Sequence, residues 1–235
     1  MAIKTIMFDL DGTLLPMDQD VFIKEYFTGL AVKLAPYGYE PEKLMGAIYK
    51  GVAAMVANDG SCKNEEAFWS LFTSIYGEKA REHEPVFRDF YENEFQNVKN
   101  SCGFNSASKE VIELCKEKGL RIILATNPLF PSIATESRMR WAGLNKEDFD
   151  YYTVYENSSY CKPNPNYYIE IMNKTGIKAE ECAMVGNDVG EDMITKELGM
   201  QVFLLTDDLI NKKGTDISVY PNGSFEQLKE WIKSL

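Results

Sequence analysis

Residues 3–8 form a short apolar run with β-branched side chains interleaved with lysine and threonine, and it stops abruptly at Asp9-Leu10-Asp11-Gly12. A run of that kind, bounded by an Asp-Gly pair, predicts a buried strand followed by a turn. From about residue 17 to 103 no comparable pattern recurs. Apolar positions return instead at helical spacing over 19–34, 41–57, 64–76 and 84–98. The breaks between them, at 36–38, 58–60, 77 and 102–103, hold the Pro, Gly and Asn residues that end helices. The segment 17–103 therefore reads as an all-helical block.

Beyond it the period alternates. Helices are predicted at 108–118, 131–141, 166–174, 191–198 and 225–233, and strands at 120–125, 149–155, 182–185 and 201–205, with a short extended piece at 217–220. Strand and helix in alternation is the signature of βαβ units and a mostly parallel sheet. The expected fold is α/β: a Rossmann-like core built from 1–16 and 104–235, interrupted by an inserted helical domain at 17–103. No internal repeat or low-complexity tract appears.

Four polar sites directly follow these apolar runs or stand just before a helix. Asp9 and Asp11, two residues apart in an extended segment, lie on the same side. One carboxylate can attack phosphorus and the other can serve as general acid and base. Thr126-Asn127 follows the strand at 120–125, where a hydroxyl and free N–H groups could hold a phosphoryl oxygen. Lys162 precedes Pro163, which forces an extended backbone at the lysine, and its ammonium could balance phosphoryl charge. Asn187, Asp188 and Asp192 follow the strand at 182–185. Each segment alone has an ordinary explanation as a turn, a cap or a solvated charge. Their common position does not, because in a parallel sheet all four gather at the carboxyl edge, where open α/β sheets bind ligands. Asp9, the Asp11 carbonyl and an oxygen from Asn187 or Asp188 would make an oxygen-only site suited to Mg²⁺.

Composition narrows the partners. Thirty-six acidic residues against 25 basic ones give a formal charge of −11. That balance argues against a nucleic-acid surface and favours a small phosphorylated substrate, with lysine and a divalent cation supplying local positive charge. The five cysteines are scattered, with no Cys-x-x-Cys pair. There is no apolar run of membrane-spanning length and no signal-peptide layout. A soluble cytoplasmic protein, monomer or homodimer, is expected, with no membrane or nucleic-acid partner.

On these residues the chain resembles the haloacid dehalogenase superfamily, whose four motifs occur in order. Asp9-Leu10-Asp11-Gly12-Thr13 is similar to the first motif, which implies Asp9 as nucleophile and Asp11 as acid/base. Thr126 and Lys162 match the phosphate-binding hydroxyl and the lysine, and Asp188 and Asp192 resemble the terminal acidic pair. Many members have Gly-Asp where this chain has Gly186-Asn187, so the third metal ligand is either Asn187 or Asp188. The insertion at 17–103 resembles the family's helical cap, and its aromatics, among them Phe22, Tyr26, Phe68, Trp69 and Tyr91, are expected mainly to form its own core. The lone histidine, His83, is expected to have a surface or structural role.

The resemblance implies a Mg²⁺-dependent phosphatase of small metabolites. Dehalogenases proper lack an Asp at the position of Asp11, since they protonate no alkoxide, and P-type pumps need membrane spans. The competing readings are a sugar-phosphate mutase using the same groups, a phospho-Asp signalling module without turnover, and a catalytically silent relative.

Overall fold

The computed structural model describes residues 2–235. Six strands form one all-parallel sheet in the order β3-β2-β1-β4-β5-β6, where β1 is Thr5–Phe8, β2 Arg121–Leu124, β3 Tyr151–Tyr152, β4 Cys182–Gly186, β5 Gln201–Leu205 and β6 Asn222–Gly223. Strand β1 is central and has no exposed face, as its run of Ile6, Met7 and Phe8 requires of a strand in a covered parallel sheet. Alternation along it divides the interior in two. Ile6 and Phe8 join one hydrophobic cluster with Val111 and Leu228, whereas Met7 joins another with Tyr167, Tyr168 and Met193.

Among the described residues, eight α-helices accompany the sheet: α1 Gln19–Leu34, α2 Pro41–Val56, α3 Asn64–Tyr76, α4 Glu84–Glu92, α5 Ser106–Glu117, α6 Ser132–Trp141, α7 Pro165–Thr175 and α8 Phe225–Ser234. The first four lie within the stretch that the sequence marks as helical. That stretch leaves and rejoins the sheet at one point: Met17 bridges Cys102, and Gly103 N–H donates to the Pro16 carbonyl at 2.7 Å. A third tether lies at the start of α3. Its free N–H groups, left without intrahelical partners, donate to the core loop through Asn64 to Ser158 O (2.9 Å) and Glu65 to Tyr155 O (3.1 Å). The buried Asn64 side chain accepts from Asn58 at 2.9 Å and lies 3.3–3.4 Å from the Pro128 and Tyr160 carbonyls.

Four local expectations need correction. The helix expected over 84–98 breaks at Asn93, whose φ/ψ of −116°/−83° is non-helical, and continues as a 3-10 segment Glu94–Ser101. The one expected at 191–198 is a 3-10 segment, Met193–Leu198, because Asp188, Glu191 and Asp192 are engaged in a tight turn before it. The strand expected at 149–155 contracts to Tyr151–Tyr152, since it lies at the sheet's edge and pairs only with β2. The piece at 217–220 is a 3-10 turn, Ile217–Val219, capped by Asp216, and the edge strand follows it at Asn222–Gly223. Among the described residues no helix is long and apolar enough to cross a membrane.

The α3 tether gives a stability test. Asn64→Ala removes one of the two acceptors of the Asn58 amide, leaving the Cys62 carbonyl, and with it the contacts of the buried Asn64 side chain to the core loop, and should lower unfolding free energy by about 1–3 kcal/mol in urea titrations. A loss under about 0.5 kcal/mol, the range of an inert surface change, would mean that the side-chain part of the tether contributes nothing.

Candidate active site

The Asp9 backbone N–H donates to the Val185 carbonyl at 2.9 Å, which continues the β1–β4 pairing one residue past β1 and fixes the direction of the carboxylate. The chain then folds into a tight loop. Thr13 and Leu15 N–H groups both return to the Leu10 carbonyl, and Gly12 N–H donates to Leu15 O. Gly12 has φ +80°, and a Cβ there would sit 2.3 Å from the Asn187 side-chain nitrogen. Both the left-handed backbone and the close approach require glycine.

Seven of the eight candidate residues, Asp9, Asp11, Thr126, Asn127, Asn187, Asp188 and Asp192, line one cavity of about 220 Å³ at the carboxyl edge. The eighth, Lys162, is buried and reaches Asp9 Oδ1 at 2.8 Å and Asp192 Oδ1 at 2.6 Å. Burial works against the Lys162 ammonium, but the carboxylates of Asp192 and then Asp9 outweigh it and hold the lysine well above its ordinary pKa. Asp192 also accepts the Asp188 N–H at 3.0 Å and so pins the turn after β4.

Asn187 and Asp188 have different surroundings. The Asn187 side-chain nitrogen donates to the Asp208 carbonyl at 2.7 Å, which turns its oxygen the other way. That oxygen lies 3.0 Å from the Thr13 hydroxyl, itself 3.2 Å from Asp9 Oδ2. Asp188 spends one carboxylate oxygen on the N–H groups of Gly190 (2.7 Å) and Glu191 (3.0 Å). Thr126 is held through its carbonyl, which accepts from Thr153 (2.6 Å) and Tyr167 (2.8 Å). Asn127 donates to Glu191 at 3.3 Å.

Sequence reasoning missed Arg138. This arginine of α6 is buried, ion-pairs with Asp11 through Nη1, bonds Thr135 at 3.2 Å and lies 4.6 Å from the centre of the Phe130 ring. The one sequence hint is its spacing, since Arg138 stands at i+4 from Ala134 and three before Trp141, both buried with it on α6. Burial lifts the Asp11 carboxyl above the usual aspartate range, and Arg138 pulls the other way. His83 is structural in its contacts, with Nδ1 2.9 Å from the Tyr39 hydroxyl.

The donor set fits a hard cation. Five carboxylates line the cavity against a single wall lysine, Lys212. Two buried oxygens, Asp11 Oδ1 and Asn127 Oδ1, have no hydrogen-bond partner. Among the described residues no three His, Cys, Asp or Glu side chains form a ligand cluster. A cation here would be held by one or two carboxylates with neutral oxygens and water, as Mg²⁺ commonly is.

A family model described as haloacid dehalogenase-like hydrolase matches residues 3–195. The chain is 26% identical to a glyceraldehyde 3-phosphate phosphatase of Methanothermobacter thermautotrophicus, over 97% of this chain and 99% of that protein. It is 28% identical to a phosphoglycolate phosphatase of Vibrio parahaemolyticus, over 87% and 84% respectively. In fold it is similar to a 2-haloacid dehalogenase of Pseudomonas syringae, with TM-score 0.65, 18% identity and coverage of 99% and 98%.

The ion pair between Arg138 and Asp11 can be measured. Arg138→Met should cost about 3 kcal/mol in urea unfolding, the low end for a broken buried pair, because the Asp11 side chain keeps 23% exposure. Adding Asp11→Leu should recover part of that loss in a double-mutant cycle. A single-variant cost under about 1 kcal/mol, as for an exposed pair, would contradict this account.

Proposed function

We propose that this chain, which belongs to the haloacid dehalogenase-like hydrolase family, is a phosphatase of small phosphorylated compounds acting through a phosphorylated Asp9. The observation that carries the reading is the unlike setting of two carboxylates on one cavity. Asp9 is tied to Lys162, and the burial-raised Asp11 is tied separately to Arg138. A nucleophile must be ionised, whereas a group that protonates a leaving alkoxide must carry a proton. Environments that separate two carboxyl groups suit that division. The chain's similarity to the Methanothermobacter and Vibrio proteins, named as phosphatases of glyceraldehyde 3-phosphate and phosphoglycolate, supports the same reaction class.

In this proposal Asp9 attacks phosphorus in line while Asp11 protonates the departing oxygen. Asp11 then takes a proton from the water that opens the aspartyl-phosphate. Thr126 and Asn127 orient the phosphoryl oxygens, and Lys162 holds Asp9 in position and adds positive charge. Mg²⁺, held by the Asp9 carboxylate, the Asp11 carbonyl and the Asn187 oxygen, would offset charge on the phosphoryl group. The orientation of Asn187 toward Thr13 and Asp9 supports it over Asp188, whose carboxylate caps the turn. Residues 17–103 are proposed as the cap that selects substrate over a core of 1–16 and 104–235, and the joined chain ends at Met17 and Cys102 support that division.

Rapid acid quench with radiolabelled substrate, borohydride reduction and peptide mapping should mark Asp9, and Asp9→Asn should lose both adduct and turnover. Asp11→Asn should slow hydrolysis of an alkyl phosphate by about 10²–10⁴-fold, the usual share of a general acid. Excess chelator should abolish turnover. Substantial activity in Asp9→Asn together with no trappable wild-type adduct would sink the covalent reading.

A further inference from the structure

A second cavity, of about 180 Å³, lies beside the first beneath the helices of 17–103. Phe22, Ile23, Leu129 and Phe130 border both, so the two adjoin at these four side chains. The far end is walled by Tyr26, Ile48, Val52, Phe68, Phe87 and Tyr91. Protein interiors are packed nearly as densely as organic crystals, and voids much larger than a water molecule are few. An apolar space of this size against a phosphoryl site is more than a packing defect leaves. It also accounts for Ile23, which is 38% exposed although it lies on the cavity-facing side of α1.

The lining bears on what can occupy it. Two of the polar tips at the far end satisfy each other, since the hydroxyls of Tyr26 and Tyr91 are 3.0 Å apart. A sugar or polyol placed there would exchange water for the Tyr49 and Tyr155 hydroxyls and the unpartnered Trp69 Nε1 alone, at a cost for each hydroxyl left unpaired. An apolar ring would lose nothing of the kind and would meet aromatic edges and faces. Phe68 stands 5.6 Å from Trp69 and Phe22 6.1 Å from Phe130, both edge-on, spacings typical of favourable ring contacts. Size agrees, because an apolar cavity of roughly 150 Å³ lined by Leu, Ile and Phe admits benzene.

We propose that the substrate is a phosphate monoester whose leaving alcohol carries a single aromatic ring, seated in this second cavity while its phosphoryl group lies between Asp9 and Thr126. The inference rests on the phosphatase reading and adds the substrate class. It also separates the chain from its curated relatives, whose names specify small polar leaving groups. The phosphorus–oxygen bond that breaks is the same in either case. Selection comes from where the rest of the alcohol sits.

The test is kcat/KM of the full chain with Mg²⁺ for ethyl phosphate, glycerol 3-phosphate and 2-phenylethyl phosphate, all primary alkyl esters with similar leaving-group chemistry. The phenylethyl ester should exceed both others by at least about tenfold, as burial of a ring in place of water implies. Val52→Phe, which fills the second cavity, should bring the phenylethyl-to-ethyl ratio down several-fold. A wild-type ratio near one, with all three esters hydrolysed, overturns the substrate class and leaves the phosphatase reading intact. A ratio unchanged in a folded Val52→Phe shows that the ring sits elsewhere and overturns it too. The wild-type comparison decides the matter even if that variant does not fold. Hydrolysis of none of the three overturns both readings together.

Discussion

Carboxylates do not gather out of water at one sheet edge unless positive charge is placed among them, and at this edge the lysine that does so is Lys162. Its ammonium lies between Asp9 and Asp192, both within 2.8 Å, and all three side chains are buried or nearly so. Asp192 in turn holds the Asp188 N–H and thereby the turn after β4. The same turn carries Asn187, whose oxygen faces Thr13 and Asp9. One cation thus ties the end of β1 to the end of β4. Removing it would strand two buried carboxylates, which costs far more than an exposed pair contributes. Ion pairs of this kind are weak evidence of stability and better evidence of a site whose charges are kept for chemistry.

Much of this was legible in the sequence because the relevant signals are local. A β-branched run ending at Asp9, a hydroxyl following 120–125 and an Asn-Asp pair following 182–185 each need only a strand and its end to be recognised. Once the sheet is parallel, topology alone brings those ends together. Arg138 was not seen because its partner is 127 residues away, and a basic residue in the last turn of a helix has a sufficient local reason to be there. Only the packing of α6 over the loop of Asp11 gives it a second meaning. The aromatics of 17–103 show the same limit in another form. Phe72, Phe90 and Phe95 are core, as expected, but Phe22, Tyr26 and Phe68 also border open space. Periodicity tells which face of a helix is apolar and cannot tell whether that face meets another helix or a cavity.

Three of the four misplaced elements follow a common rule. The strand at 149–155 and the segments at 191–198 and 217–220 all lie where the backbone answers to partners outside the element. An edge strand pairs on one side only, and a turn rich in Asp can satisfy its N–H groups with side chains instead of helical carbonyls. Asp188 and Asp216 do so, at 2.7–3.0 Å, and the helix or strand pattern gives way to 3-10 geometry around them. These three departures lie near the sheet's carboxyl edge and its outermost strands, while the four central strands form on the apolar runs at 3–8, 120–125, 182–185 and 201–205.

Fold likeness alone does not choose the reaction, since a chain this similar in shape to a dehalogenase could share either chemistry. The choice rests on individual groups. A carboxyl at Asp11 is useful to an enzyme that must protonate an alkoxide and then activate water, and is otherwise an acid that needs a buried arginine to hold it in place. The chain maintains that arginine together with a burial that raises the Asp11 pKa, two influences that act against each other on the same proton. A group meant only to stay charged would gain from the arginine and not from the burial. A group meant only to stay neutral would gain from the burial and not from the arginine. Both together suit a carboxyl that must give up a proton in one step and recover it in the next, which is the demand that ester hydrolysis through a covalent carboxylate makes of its second acid.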